Sequence, residues 1–318
     1  MTARGILRAI ALVAALLAAQ SAAASSLRVG EAVPRSFTFR LLDFGIRRGM
    51  FAADGLTIAV SVFNGPARLQ QALAANAVDI GLGTGEDLGF IAAGAQEKAI
   101  AAMAGPPLDT GLVVMRGSPL RRAADLKGRK VGASSLTSLV AWMIGEVAVR
   151  QGWVRDAIRV VPTGTATGAI ALLKAGQIDA AASDMTPALQ FAAAGKGRIL
   201  LRFGDDVKDI HNNIIFATDR IIAAHPDDVR AFLRGWFDTI AFARAHRAET
   251  IADMARMLHV YPAVAAAVYD RQMPMYSPDG RFSATAMAAL ARSLVDIGMA
   301  DAAPDMARLY TEAFLPPR

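Results

Sequence analysis

Hydroxyls, glycines and carboxylates gather in short segments that follow apolar runs of this chain. The densest is Ala133-Ser134-Ser135-Leu136-Thr137-Ser138, where Ser134, Ser135 and Thr137 stand at the expected start of a helix. Hydroxyls beside the unpaired amides of a helix start form a seat for a carboxylate, sulfonate or phosphate. The same residues serve equally as helix caps. Gly83-Thr84-Gly85-Glu86-Asp87 adds a backbone open to close approach at Gly85 and a hydroxyl at Thr84. It also carries a carboxylate, Glu86, that either favours the next helix start or holds an ammonium or ring nitrogen. Thr165 and Asp184 follow two further apolar runs, Asp184 as a helix cap or as a second acceptor. Ser36 and Phe37 end the loop that begins at Ala32; Phe37 either stacks on a flat ligand or joins the core, and Arg35 beside them pairs with an anion or is solvated. Asn213 either hydrogen-bonds a ligand or closes a strand end.

These groups suit recognition of an intact small molecule better than its conversion. The chain has no cysteine, which removes thiolate nucleophiles, sulfur-ligated metals and disulfides. His211, His225, His246 and His259 have no metal-pair spacing on one helix, and no His-Glu-x-x-His motif occurs. Gly83-x-Gly85 lacks the third glycine of a dinucleotide fingerprint, and no lysine follows a glycine loop as a phosphate-binding loop requires. Neither Ser134 nor Ser183 has the G-x-S-x-G frame of a serine nucleophile. The expectation is no catalysis, no cofactor and no metal. A net charge of +6 is modest, and no basic tract is interleaved with aromatics, so nucleic acid is not expected as a partner.

The chain opens with Arg4 and Arg8, an apolar run from Ala9 to Ala19 and the small residues Ser21-Ala22-Ala23-Ala24. That order of charge, apolar core and small residues is a secretory signal, so residues 1–24 are expected to be cleaved and the protein to be periplasmic. The apolar run is too short to span a bilayer, which takes about 20 residues of helix. The 54% hydrophobic content is therefore assigned to core, much of it alanine in helices.

Holding the loops in place requires alternating strands and helices, the grammar of an α/β protein. Strands are expected at Leu27–Val29, Ile58–Val62, Ile80–Leu82, Gly111–Met115, Lys130–Gly132 and Arg159–Val161. Helices are expected at Phe37–Phe51, Gly65–Asn76, Gly85–Ala93, Ser135–Gln151, Gly164–Ala175 and Pro187–Ala194. From Pro226 onward the pattern is helical throughout: Pro226–Ala245, Ala248–Leu258, Pro262–Met273, Ser283–Ile297 and Pro304–Ala313.

Four segments carry a resemblance. Phe51-Ala52-Ala53-Asp54-Gly55-Leu56 leads to the ALAANAVDIG stretch ending at Gly81. It is followed by Asp125-Leu126-Lys127-Gly128-Arg129-Lys130-Val131-Gly132, by Leu172-Leu173-Lys174-Ala175-Gly176-Gln177-Ile178-Asp179, and by His225-Pro226-Asp227-Asp228-Val229. In this order the chain resembles the substrate-binding proteins of nitrate, sulfonate and taurine type ABC transporters, relatives of thiamine-pyrimidine binding proteins. The resemblance implies a two-lobed periplasmic-binding-protein type 2 fold with a hinge of two crossing strands and a helical C-terminal region. Residues 25–112 and 217–318 would form lobe one and 113–216 lobe two, with crossings near Gly111–Met115 and Asn213–Ala217. It further implies a monomer that captures a small anion or zwitterion between its lobes and delivers it to a membrane permease. The first helix departs from the family pattern at Arg40-Leu41-Leu42-Asp43-Phe44-Gly45-Ile46, so a pyrimidine or other heterocycle stays open as ligand, as does a sensing role. A pyrimidine-forming enzyme of the same fold would need a cysteine-rich iron motif, which is absent.

Overall fold

The computed structural model describes residues 25–34 and 36–317; the expected signal segment and Arg35 lie outside the described residues. In chain order the first half runs β1 (Ser25–Glu31), α1 (Phe37–Arg47), β2 (Leu56–Val62), α2 (Pro66–Ala74), β3 (Ile80–Thr84), α3 (Leu88–Ala92) and β4 (Glu97–Ala104). There follow β5 (Thr110–Met115), β6 (Lys130–Ala133), α4 (Leu139–Arg150), β7 (Arg159–Pro162), α5 (Ala166–Lys174), β8 (Ala180–Asp184), α6 (Met185–Ala193), β9 (Gly197–Arg202) and α7 (Phe203–Asp206). The chain then returns through β10 (Asn213–Thr218) to α8 (Asp219–Ala224), α9 (Pro226–Ala245), α10 (Arg247–Leu258), α11 (Pro262–Gln272) and α12 (Ala284–Asp296).

Two mixed five-stranded sheets result, in the orders β2-β1-β3-β10-β4 and β7-β6-β8-β5-β9. Three strands of each are parallel, and the strand received from the other half runs antiparallel to both its neighbours. The chain leaves the first sheet after β4 and re-enters it at β10, so residues 105–109 and 203–212 are the two crossovers. Each lies a few residues before its expected position: all of β5 belongs to the second sheet and all of β10 to the first.

Local sequence explains most elements. Helix α1 buries Phe37, Leu41 and Phe44 along one stripe and ends at Arg47, ahead of Gly49 at φ 73°. Helix α9 begins with Pro226 followed by Asp227 and Asp228, suited to the positive end of the dipole, and buries Phe232 and Trp236. Asp79, at the foot of β3, accepts from Arg28 Nε at 2.9 Å and Nη2 at 2.7 Å, fastening β1 to β3.

Two expectations fail. The segment Pro304–Ala313 forms only a short 3-10 turn at Met306–Arg308, because this part of the tail pairs with β4 instead: Ala99 N–H donates to Leu309 O at 3.0 Å and Thr311 N–H to Ala99 O at 2.9 Å. The β4 edge of the first sheet is thereby partly covered. Helix α4 starts at Leu139, not Ser135, since Ser138 Oγ accepts from Ala141 N–H at 3.2 Å and caps it.

The main core runs from the first sheet through the helical tail to α4. A smaller cluster of Val113, Leu173, Ile178, Met185 and Phe191 lies between the second sheet and helices α5 and α6. The tail touches both halves: α11 packs on α6. Asp296, the last residue of α12, accepts from Trp142 Nε1 of α4 at 2.8 Å and pairs with Arg155 at 2.9 Å. Among the described residues no helix is long and apolar enough to cross a membrane.

Candidate ligand-binding cleft

Parallel strands deliver their loops to the same end of a sheet, and here the carboxyl ends of both sheets point at one another across the crossovers. Between them lies a cleft of about 610 Å³, within the range of small-molecule sites. The first sheet contributes Ser36 after β1, Asn64 and Gly65 after β2, and Thr84 and Glu86 after β3. The second contributes Ser134 after β6, Thr163 and Thr165 after β7, and Ser183, Asp184 and Thr186 after β8. Asp109 and Asn212 arrive from the crossovers themselves.

The floor is an ordered polar network. Asp109, 4% exposed, accepts from Thr38 Oγ1 at 3.0 Å, Thr110 Oγ1 at 3.2 Å and Asn212 Nδ2 at 2.8 Å. The Asn212–Asp109 bond joins the two crossovers through side chains, and Asn212 Nδ2 also donates to Asn213 Oδ1 at 3.1 Å. Burial pushes the Asp109 carboxyl up to about 6, while its hydroxyl donors favour the charge and limit the rise.

Two other carboxylates line the cleft with less support. Asp184 opens partly onto the cleft, and its carboxylate receives no hydrogen bond among the described residues; burial and then the charge of Asp109 raise it to about 7. Glu86 is 7% exposed, and its Oε2 is buried with no hydrogen-bond partner among the described residues. Burial raises its pKa, against weaker opposition from nearby main-chain amides and the Thr84 hydroxyl. The Thr186 hydroxyl, on a residue 3% exposed, is likewise without a partner. Lys174 and Lys196 are exposed residues of the lining, with Lys174 Nζ 5.7 Å from the centroid of the Phe191 ring.

Of the residues singled out in the sequence, Ser36, Thr84, Glu86, Ser134, Thr165, Asp184 and Asn213 line this cleft. Four do not. Phe37 is fully buried and meets Tyr269 edge-on at 6.4 Å between centroids, so it is a core residue. Gly85 lies behind the lining, where its N–H donates to Asn212 O at 3.0 Å. A Cβ there would sit 2.6 Å from His211 O, so the glycine admits the return crossover. Ser135 and Thr137 turn toward one another outside the cleft, 3.4 Å between hydroxyl oxygens. Thr165 keeps a capping bond, its Oγ1 accepting from Gly168 N–H at 3.0 Å. Asp109, Thr110 and Thr186 were not singled out. Asp109 follows Pro106-Pro107 between two strands, a signal visible only once β4 is recognised. Among the described residues no group of three His, Asp or Glu side chains is placed to hold a metal ion.

Residues 43–250 match the model of the family described as NMT1/THI5 like. No curated protein matches the chain by sequence. The fold is similar to that of the periplasmic aliphatic sulphonate binding protein SsuA from Escherichia coli, with a TM-score of 0.74 at 19% identity over 90% of this chain and 92% of that one. It is similar also to the alkanesulfonate-binding protein SsuA from Xanthomonas axonopodis pv. citri, solved bound to MOPS, with a TM-score of 0.75 at 20% identity over 91% and 98% of the two chains. A desulfurization enzyme, DSZB, matches at 0.60 and 16% identity over 91% and 97%. The architecture is that of the periplasmic binding proteins, and at these identities the likeness is one of fold.

Proposed function

The chain belongs to the NMT1/THI5-like family, and on that premise we propose that it is the extracytoplasmic solute-binding component of an ABC importer. The observation that carries the reading is the cleft of about 610 Å³ walled by strand-end loops of both sheets. A solute touching both walls favours the arrangement in which they are close, and it shifts the population toward that state by its differential affinity. A membrane permease reads the closed surface. The protein acts as a monomer in the periplasm after loss of residues 1–24, and it performs no reaction. Hydroxyls of Ser134, Thr84 and Thr165 suit the oxyanion end of a sulfonate or carboxylate, within a solute class of small anions and zwitterions.

A thermal-shift screen against sulfonates, nitrate, small carboxylates, amino acids and pyrimidines tests the proposal, since a solute bound only by the folded form raises the melting temperature. One class raises it in a dose-dependent way, and Ser134→Ala weakens the effect without lowering the melting temperature of the free protein. Turnover of a panel member, with no shift from any, overturns the reading in favour of an enzyme.

A further inference from the structure

Resting on that solute-binding reading, we infer that the solute carries a protonated nitrogen with N–H donors, held between Glu86 of the first half and Asp184 of the second. The hydroxyl-lined helix starts then take its other end.

Three carboxylates line the cleft, one from each wall and one from a crossover: Glu86, Asp184 and Asp109. The cationic residues of the described lining, Lys174 and Lys196, are both exposed. Coulomb attraction and repulsion grow as water is excluded, so a cation gains and a bare anion loses by entering the depth of such a site.

Buried polar groups are paired in the great majority of cases, and an unpaired one calls for a cause. Glu86 Oε2 and Thr186 Oγ1 are both buried in the cleft lining with no partner among the described residues. The Asp184 carboxylate precedes α6 without capping it. Asp109, by contrast, already accepts from Thr38, Thr110 and Asn212. Unmet acceptors thus stand on the two facing walls, while the floor between them is satisfied. An ammonium or amidinium group presents several N–H donors around one centre and answers that arrangement; nitrate or an alkanesulfonate presents none.

The titration of these groups gives the binding a sign. Asp184 titrates near 7 in the free protein, raised by burial and by Asp109. A cation binds the ionised carboxylate, so its affinity rises as pH goes from 5.5 to 8. Among the described residues the other charged groups facing the site are Glu86, Asp109, Lys174 and Lys196, and Asp109 titrates near 6, in the same direction.

Calorimetric titrations with matched pairs, taurine against ethanesulfonate and β-alanine against propionate, together with agmatine, test the inference on the whole protein. The nitrogen-bearing members bind, and they bind more tightly at pH 8 than at pH 5.5. Asp184→Asn weakens them by roughly 30-fold or more, the usual cost of removing one partner of a buried charge pair. Because Asp184 makes no side-chain hydrogen bond among the described residues, that variant keeps the fold, which an unchanged melting temperature verifies. Ethanesulfonate or propionate binding as tightly as its amino counterpart, with Asp184→Asn neutral, overturns the inference and leaves the solute-binding reading standing. Silence from every member, alongside turnover of any of them, overturns both.

Discussion

Buried carboxylates outside the cleft give the residue scale its clearest prediction. Glu97 on β4 is raised to about 8, first by burial and then by Asp219, with Gln70 opposing, and Glu31 at the end of β1 is raised to about 7, chiefly by burial. Folding therefore favours their protonated forms. The stability they add is fully present below the ordinary value of 4.5 and is lost as pH rises through 7 to 8. The melting temperature falls over that window, and Glu97→Gln removes part of the fall, raising the melting temperature at pH 8.5 by about 2–4 °C. A scanning-calorimetry series across pH reads both. At this scale the sequence exposed side-chain chemistry but not direction. Glu86, Asp184 and Ser134 were legible because each follows an apolar run, where strand-end loops collect. Phe37 and Ser135 stayed open between two readings because one helical turn separates a cleft position from a core or outer one, and the cap at Ser138 shifted that turn.

At the scale of elements, the crossovers depend on close backbone contact. A Cβ on Gly105 would stand 1.9 Å from Ile210 O, so the two crossovers can lie together only because this residue is glycine. Gly105→Ala lowers stability by about 1–3 kcal/mol or more, the cost of overpacking a site that cannot relax, and urea unfolding measures it. Of the parallel strands, β1, β2, β3, β6 and β7 were readable as short apolar runs, while β8, Ala180–Asp184, was not among the expected strands. Strand β4, Glu97–Ala104, was not either, because its alanines carry no strand preference and it is held by pairing with β10 and with the tail. The tail segment after Pro304 was misread for the converse reason: a helical composition lost to the demand of an uncovered sheet edge.

Across the whole molecule, the same strand arrangement occurs twice, each sheet accepting one antiparallel strand from the other half. That exchange leaves only residues 105–109 and 203–212 as direct connections, while α11 against α6 and the Asp296 contacts with Trp142 and Arg155 bridge the halves elsewhere. Solute binding is expected to draw the halves together, seen in solution scattering as a smaller radius of gyration with ligand than without, and an unchanged radius would argue against closure. The two-sheet plan was implied by the family resemblance that the four segments carry. The exact crossing points were not, because a crossover is defined by which sheet a strand joins, and pairing between strands so far apart in the chain leaves no local mark.

The central claim is that one small solute is held between the two sheets by groups from both. Its most direct measurement is a calorimetric titration of the tightest-binding panel member into the unaltered protein, Ser134→Ala and Asp184→Asn. The account predicts one site per chain and weaker binding in both variants. Affinity that neither substitution changes would place the solute elsewhere and contradict it.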